Sequence, residues 1–364
     1  MGHMLRKTYP VIALFALSLS VSAADPSPSP QPKKGRFRVT NLLTIQVPPD
    51  AKNVRIWFAV PQEAADTIVQ DFKVTSEVPV RYDTDSWGNR IGYAEVAAPA
   101  HNPITIQEDF DLTRSETHNA VAAAATRPLT DAERAALSRF LQPSTYVVVN
   151  DRVKKLAASI AGNEANPVLA MRKLYDWTYQ NVNYWVKDPD HLKASAVGSS
   201  EYCLSSKTGN CTDINSLLSS LAISSGIPVR MVYGSLFKPT LNGVDSDASY
   251  HCWVEFFAPR LGWIPVDASL ANIYAEDIKL TEQNKKLVTL TTSTGYSGSD
   301  AGKVNFYFGN LDERRVVWSI GRDLMMQPPQ EDGPVNSLSK VYVEIDGKQS
   351  MNWTRKCSYT ESSL

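Results

Sequence analysis

The chain has 364 residues, too many for one ordinary hydrophobic core, and its length predicts two or three domains. It is 43% hydrophobic and 21% charged, the composition of a globular protein, and 37 basic against 38 acidic side chains leave a formal net charge of −1. That balance carries no electrostatic footprint for nucleic acid or an anionic membrane surface.

At the N-terminus, Arg6 and Lys7 precede an apolar run over residues 11–21, followed by the small residues Ser22, Ala23 and Ala24. This is the order of a secretory signal peptide over 1–24, and its apolar run is too short to span a bilayer. Residues 1–3 read as a cloning remnant before a natural start at Met4. The expectation is a secreted protein, in a bacterial periplasm, with no transmembrane segment once the leader is removed. In an oxidising compartment Cys203, Cys211, Cys252 and Cys357 could make two disulfides, or one with two thiols left free. Residues 25–35 (DPSPSPQPKKG) form a Pro/Ser linker.

The texture then turns to β. RFRVTNLLTIQVP, NVRIWFAVP, IGYAEVA and ITIQEDFDLT, divided by turn signals such as Trp87-Gly88-Asn89, predict an antiparallel sandwich over 36–115. Residues 116–149 read as a helical connector in which Thr130 and Glu133 mark a capped helix start. From 150 to 275 the pattern predicts a mixed core. One helix carries Val153, Leu156, Ala157 and Ile160 on one face, and a second begins at Pro167. A third opens at Cys211, with Ile214, Leu217, Leu218, Leu221 and Ala222 as a single apolar stripe, and closes at Gly226 before Pro228. VRMVYGSLF, YHCWVEFF and GWIPVDA read as strands, the last two joined by the turn APRLG. Beyond 276, TLTTSTGYSGSDAGK reads as a polar loop. VNFYFGN, RRVVWSI and KVYVEID read as strands of a β-rich C-terminal extension, 276–364.

Cys211 sits at the start of its helix, where free N–H groups and the helix dipole stabilise a thiolate. A buried, inert thiol is the competing reading. A nucleophile needs a base held by a third group. His251 is the one histidine in a predicted strand of this core. With the APRLG turn centred near Pro259, position 251 lies opposite position 267, which is aspartate. Opposed residues share a face, with Cβ atoms about 4.5–5.5 Å apart. Alternation turns Cys252 away from His251 into the core, as a free buried thiol. Cys203, Cys211, His251 and Cys252 lack the spacing of a zinc site, and no EF-hand-like loop calls for calcium.

Taken together, GNCTDINSLLSSLAISSGIPVR, YHCWVEFF and GWIPVDAS resemble the transglutaminase-like superfamily of papain-like thiol enzymes, over about 150–275. The resemblance implies an α+β fold: a nucleophile helix packed on an antiparallel sheet, flanked here by the N-terminal β-sandwich and the C-terminal extension. It implies Cys211 as nucleophile, His251 as general base and acid, and Asp267 as the orienting acid, with no cofactor and no metal. A second oxyanion donor is expected upstream of the nucleophile, and Tyr184, Trp185 and Tyr202 are the candidates. Asp213 and Arg230 match family positions and are expected to make structural hydrogen bonds or ion pairs, with Trp253 and Trp263 packing near the site. Cys203 and Cys357 remain as a candidate disulfide that would pin the tail near the site.

The chemistry expected is attack of a Cys211 thiolate on an amide of a peptide or protein, including cell-wall peptide, through an acyl-enzyme. Hydrolysis by a peptidase or amidase is favoured over transfer to an amine by a transglutaminase. The alternative is a binding module for peptide or glycan whose triad is intact but occluded.

Overall fold

The computed structural model describes residues 31–100, 102–119 and 121–362, together with Met1. The expected signal peptide, and most of the linker, lie outside the described residues. In chain order the strands are β1 (Lys34–Ile45), β2 (Asn53–Ala59), β3 (Thr67–Ser76), β4 (Val80–Thr84), β5 (Arg90–Ala97), β6 (Ile104–Ser115), β7 (Asn183–Tyr184), β8 (Thr208–Gly209), β9 (Val229–Leu236), β10 (Tyr250–Ala258), β11 (Gly262–Val266), β12 (Arg315–Ile320), β13 (Val341–Ile345), β14 (Lys348–Ser350) and β15 (Trp353–Ser362). The helices are α1 (Asp131–Ala136), α2 (Asp151–Ala161), α3 (Pro167–Asn181), α4 (Ser200–Ser206), α5 (Cys211–Ser224), α6 (Ala268–Tyr274), α7 (Lys285–Thr291) and α8 (Ala301–Phe306).

Strict alternation builds the sandwich. β1 and β6 bury every second side chain, as a strand with one face on a core must. Two sheets, ordered β15-β1-β6-β3 and β14-β13-β2-β5-β4, close on Leu43, Ile45, Ile56, Phe58, Ile106 and Val343. The α+β class and the β-rich C-terminal region are as expected, and the C-terminal strands complete the sandwich. β15 pairs with β1 from Arg36↔Ser362 to Ile45↔Trp353, and β13 pairs with β2. Without β15, β1 would be a long unpaired edge. The sandwich therefore takes its last strands from the far end of the chain, a long-range pairing that no local pattern encodes. β3 and β4 are not among the strands that the sequence pattern predicts. Both lie at sheet edges and are largely exposed, so their apolar signal is weak.

The second layer is the sheet β11-β10-β9-β12. β12 joins it from the C-terminal stretch by pairing with β9, Arg315↔Leu236. Phe237, Val316 and Trp318 at this end pack with Phe37, Trp57 and Phe110 of the sandwich in one continuous core, and residues 32–364 form one compact unit. The stretch VNFYFGN, read as a strand, instead begins at the end of α8, which Asp300 caps through the Lys303 N–H (3.0 Å).

The expected amphipathic helix is buried on every side. In α5 all residues from Cys211 to Ala222 are buried, because the helix packs on β9 and β10 and is wrapped by α2, α3, α4 and α6. Much of its polar face is satisfied inside the core, while Asn215 Oδ1 and Ser220 Oγ are buried without a partner among the described residues. Ser219 Oγ donates to Asn215 O (2.8 Å), and Ser216 Oγ donates to Gly198 O (2.9 Å). Among the described residues no helix is long and apolar enough to cross a membrane.

Candidate active site

The first turn of α5 is built by reciprocal capping. Asn210 Oδ1 accepts from the N–H groups of Thr212 (2.9 Å) and Asp213 (3.0 Å), and Asp213 Oδ2 accepts from Asn210 N–H (3.0 Å). Buried Asp213 also accepts from the N–H groups of Ser195 (3.0 Å) and Ser199 (2.7 Å), tying the 195–199 loop to the helix start. Gly209 is required by this closeness: a Cβ there would lie 2.4 Å from Asp213 Cβ. Cys211 is thus the first residue of a rigid, buried helix, at the positive end of its dipole.

His251 lies on β10 opposite Gly234 of β9. The β10–β11 register pairs Val254 with Val266 and Ala258 with Gly262, so the hairpin centres on Arg260, at φ 71°, rather than on Pro259. Asp267 is therefore two residues out of the predicted register, diagonal to His251. An even shift keeps the face, and the contact survives: His251 Nε2 lies 2.7 Å from Asp267 Oδ2. Asp267 also caps α6, as a plain strand-end aspartate would. Its Oδ1 accepts from Ser269 Oγ (2.7 Å) and Leu270 N–H (3.1 Å), leaving Oδ2 to His251 and to Arg315 Nη1 (2.9 Å).

Arg315 is the member that the sequence reading missed. It is fully buried on β12 and held by Asp312 Oδ2 (2.9 and 3.1 Å), with its guanidinium 5.0 Å from the centre of the Trp253 ring. The signal was a charged residue inside an apolar strand pattern, RRVVWSI, but its target is set by a strand pairing that sequence spacing does not show.

Around Cys211 stand Cys252, His251, Tyr184 and Thr212. Hydrogen bonding from the Cys252 thiol, then attraction to His251, and the Tyr184 hydroxyl hold the Cys211 thiol well below its ordinary range, against the opposing effect of burial. Burial lowers His251, but the Asp267 carboxylate and the Cys211 sulfur overcome this and raise it to about 9. Burial likewise opposes ionisation of Asp267, yet His251 and Arg315 hold it well below the usual carboxylate range. The site thus favours a thiolate beside an imidazolium, backed by the Asp267 carboxylate and the Arg315 guanidinium.

The place of Cys252 differs from expectation. It is free and buried, and it does point to the α5 side of the sheet. That side carries the helix start, so its Sγ lies 3.5 Å from Thr212 Oγ1 and touches Cys211. Cys203 and Cys357 are also free and buried. The candidate disulfide is not formed, because Cys203 packs in the helical core with α5 whereas Cys357, on β15, packs in the sandwich core.

Of the three oxyanion candidates, Tyr184 reaches the nucleophile. Its hydroxyl is close enough to Cys211 to favour the ionised sulfur. Parallel pairing of β7 with β8 sets Tyr184 beside Gly209, and Tyr184 N–H donates to Asn272 Oδ1 (2.9 Å). Trp185 and Tyr202 are half-buried in the helical half of the molecule. Arg230 pairs with Glu255 (2.6 Å) and lies over the Trp263 ring, 4.4 Å from its centre.

The site is closed. Cys211 is 3% exposed and His251 2%. α7 packs on the 185–187 turn after Tyr184 and on the 247–249 turn before Tyr250, and Tyr250 Oη lies 3.0 Å from Thr212 Oγ1.

Residues 154–268 match the model of the transglutaminase-like superfamily. A protein of Haemophilus influenzae, named only as uncharacterized, is 26% identical over 230 residues, which are 58% of this chain and 58% of that protein. The chain thus spans less than two thirds of that relative's length. Among solved structures, a candidate cysteine protease from Cytophaga hutchinsonii shares 16% identity at a TM-score of 0.56, covering 92% of this chain and 93% of that one, and shows the same fold. The periplasmic domain of TgpA from Pseudomonas aeruginosa shares 15% identity at a TM-score of 0.34, over 66% and 88% of the two chains.

Proposed function

The chain carries a transglutaminase-like core, and on that premise we propose that it is a thiol enzyme cleaving amide bonds of peptides or proteins through an acyl-enzyme on Cys211. The observation that carries the reading is the line Cys211–His251–Asp267–Arg315 at the start of a buried helix.

The Cys211 thiolate attacks the amide carbon, and the oxyanion forms between the Cys211 N–H and the Tyr184 hydroxyl. His251 is bonded to Asp267 through Nε2, which leaves Nδ1 to protonate the departing amine as the C–N bond breaks. Neutral His251 then takes a proton from water, hydroxide adds to the thioester, and the carboxylic acid leaves as the thiolate is restored. An amine in place of water would make the same site a crosslinking acyltransferase. We place the reaction outside the cytoplasm on the strength of the leader-like residues 1–24.

The burial of Cys211 and His251 favours one second reading, a peptide-binding module with a sealed triad. Turnover of peptide, isopeptide and cell-wall peptide substrates by wild type and Cys211→Ala, with and without an amine acceptor, separates the readings. The enzyme reading expects product from the wild type alone, and equal turnover by both proteins removes Cys211 from the mechanism.

A further inference from the structure

Just beyond β9 a lysine is buried with its charge unanswered. Lys238 is 2% exposed, and its Nζ has no hydrogen-bond partner among the described residues. Its main chain is fixed, since Lys238 O accepts from the Tyr359 hydroxyl and from Leu241 N–H (2.9 Å). β9 delivers it to the reacting end of the sheet: Gly234 pairs with His251, and Leu236 pairs with Arg315. The negative groups near enough to act on its charge are the Cys211 sulfur and Asp312. Asp312 is already bonded twice by Arg315, and the sulfur is matched by His251.

A buried cation of this kind is costly to the free protein and is expected where a ligand supplies the counter-charge. Burial pushes Lys238 down to about 7, with Cys211 and Asp312 opposing, so an arriving anion would restore its full charge. Two residues further along the chain a cleft of about 390 Å³ lies between Thr240 and Leu241 on one side and α7 on the other, lined there by Lys285, Lys286 and Leu290 with Glu282 at hand, and Lys238 does not line it.

We infer that Lys238 is the carboxylate anchor of this site, and that the acyl donor is a peptide carrying a free carboxylate beside its scissile amide. The inference rests on the thiol-enzyme reading for its substrate class. The carboxylate is either the chain end or an Asp or Glu side chain.

The test alkylates Cys211 in the full chain with iodoacetate and, separately, iodoacetamide, read by peptide mass spectrometry at Cys211. The two reagents differ in the carboxylate, and their rate ratio cancels thiolate fraction and general access. The ratio is expected to fall about tenfold in Lys238→Met and Lys238→Gln and to persist in Lys238→Arg. A second arm needs no variant: protection of wild-type Cys211 from iodoacetamide by a peptide with a free C-terminal carboxylate against its amide, and by a Glu peptide against its Gln form. The pair that shows a difference identifies the source of the carboxylate. An unchanged ratio in both neutral variants, no labelling of Cys211 by either reagent, or equal protection within both pairs would overturn the inference. Loss of Cys211-dependent turnover with the ratio intact would instead remove the enzyme reading and leave the carboxylate site standing.

Discussion

Asp267→Asn separates the two duties of Asp267. Asparagine caps a helix about as well as aspartate, so α6 keeps the acceptor now offered to Leu270 N–H and Ser269 Oγ. The charge behind His251 is lost. In the native site His251 is raised from 6.5 to about 9, roughly 3 kcal/mol of preference for the imidazolium. Asp267 supplies the largest raising share and Cys211 the rest, both working against burial, so removing the carboxylate's charge should cancel most or all of the net rise. With burial then unopposed by the carboxylate, the imidazolium should titrate more than one unit lower. A return to the ordinary 6.5 would cut the protonated fraction of His251 at pH 8 from about nine-tenths to about one-thirtieth, a fall of roughly thirtyfold in the thiolate–imidazolium pair. The assay is the rate of Cys211 carboxamidomethylation from pH 5 to 10, beside the pH profile of kcat/KM. Wild type should lose kcat/KM as pH rises through about 9, where the imidazolium that protonates the leaving amine is titrated. In the variant that limb should move down while the circular dichroism is retained. A folded Asp267→Asn protein with the limb still near 9 would refute the reasoning.

Tyr184→Phe should lower kcat by about 10²–10³-fold with little change in KM, the signature of an oxyanion donor, checked by steady-state kinetics. Cys252→Ala removes the largest influence lowering the Cys211 thiol, so the acid limb of Cys211 alkylation should move to higher pH while the fold is kept. Arg315→Met leaves Asp267 and Asp312 buried without their cation and should cost about 3–5 kcal/mol in denaturant unfolding. It should also blunt His251 function, because Asp267 then holds its charge less firmly.

What was legible in the sequence was what is local. The G-x-C helix start is visible because Gly209 and Cys211 bracket Asn210, the capping residue, and because the cap partner Asp213 lies within one turn. The hairpin that brings Asp267 to His251 is visible because the even period of a strand forgives a register error of two. The single apolar stripe of α5 was a poor guide to its burial, since small serines and Asn215 fill the other face by bonding inward. What escaped depends on pairings distant in sequence. Arg315 reaches Asp267 across β9 and β10, and β15 completes a sheet begun by β1. Cys252 was assigned the correct face, but which helix end lies on that face is a tertiary fact.

The central claim is that Cys211 carries the acyl group. Intact and peptide mass spectrometry of the acid-quenched protein, after brief exposure to a peptide ester or thioester, tests it most directly. The account predicts one acyl adduct at Cys211, absent from Cys211→Ala and accumulating at higher occupancy when Asp267→Asn slows the histidine-assisted release. An adduct on another residue, or turnover of that peptide with no Cys211 adduct at any quench time and unimpaired by Cys211→Ala, would contradict it.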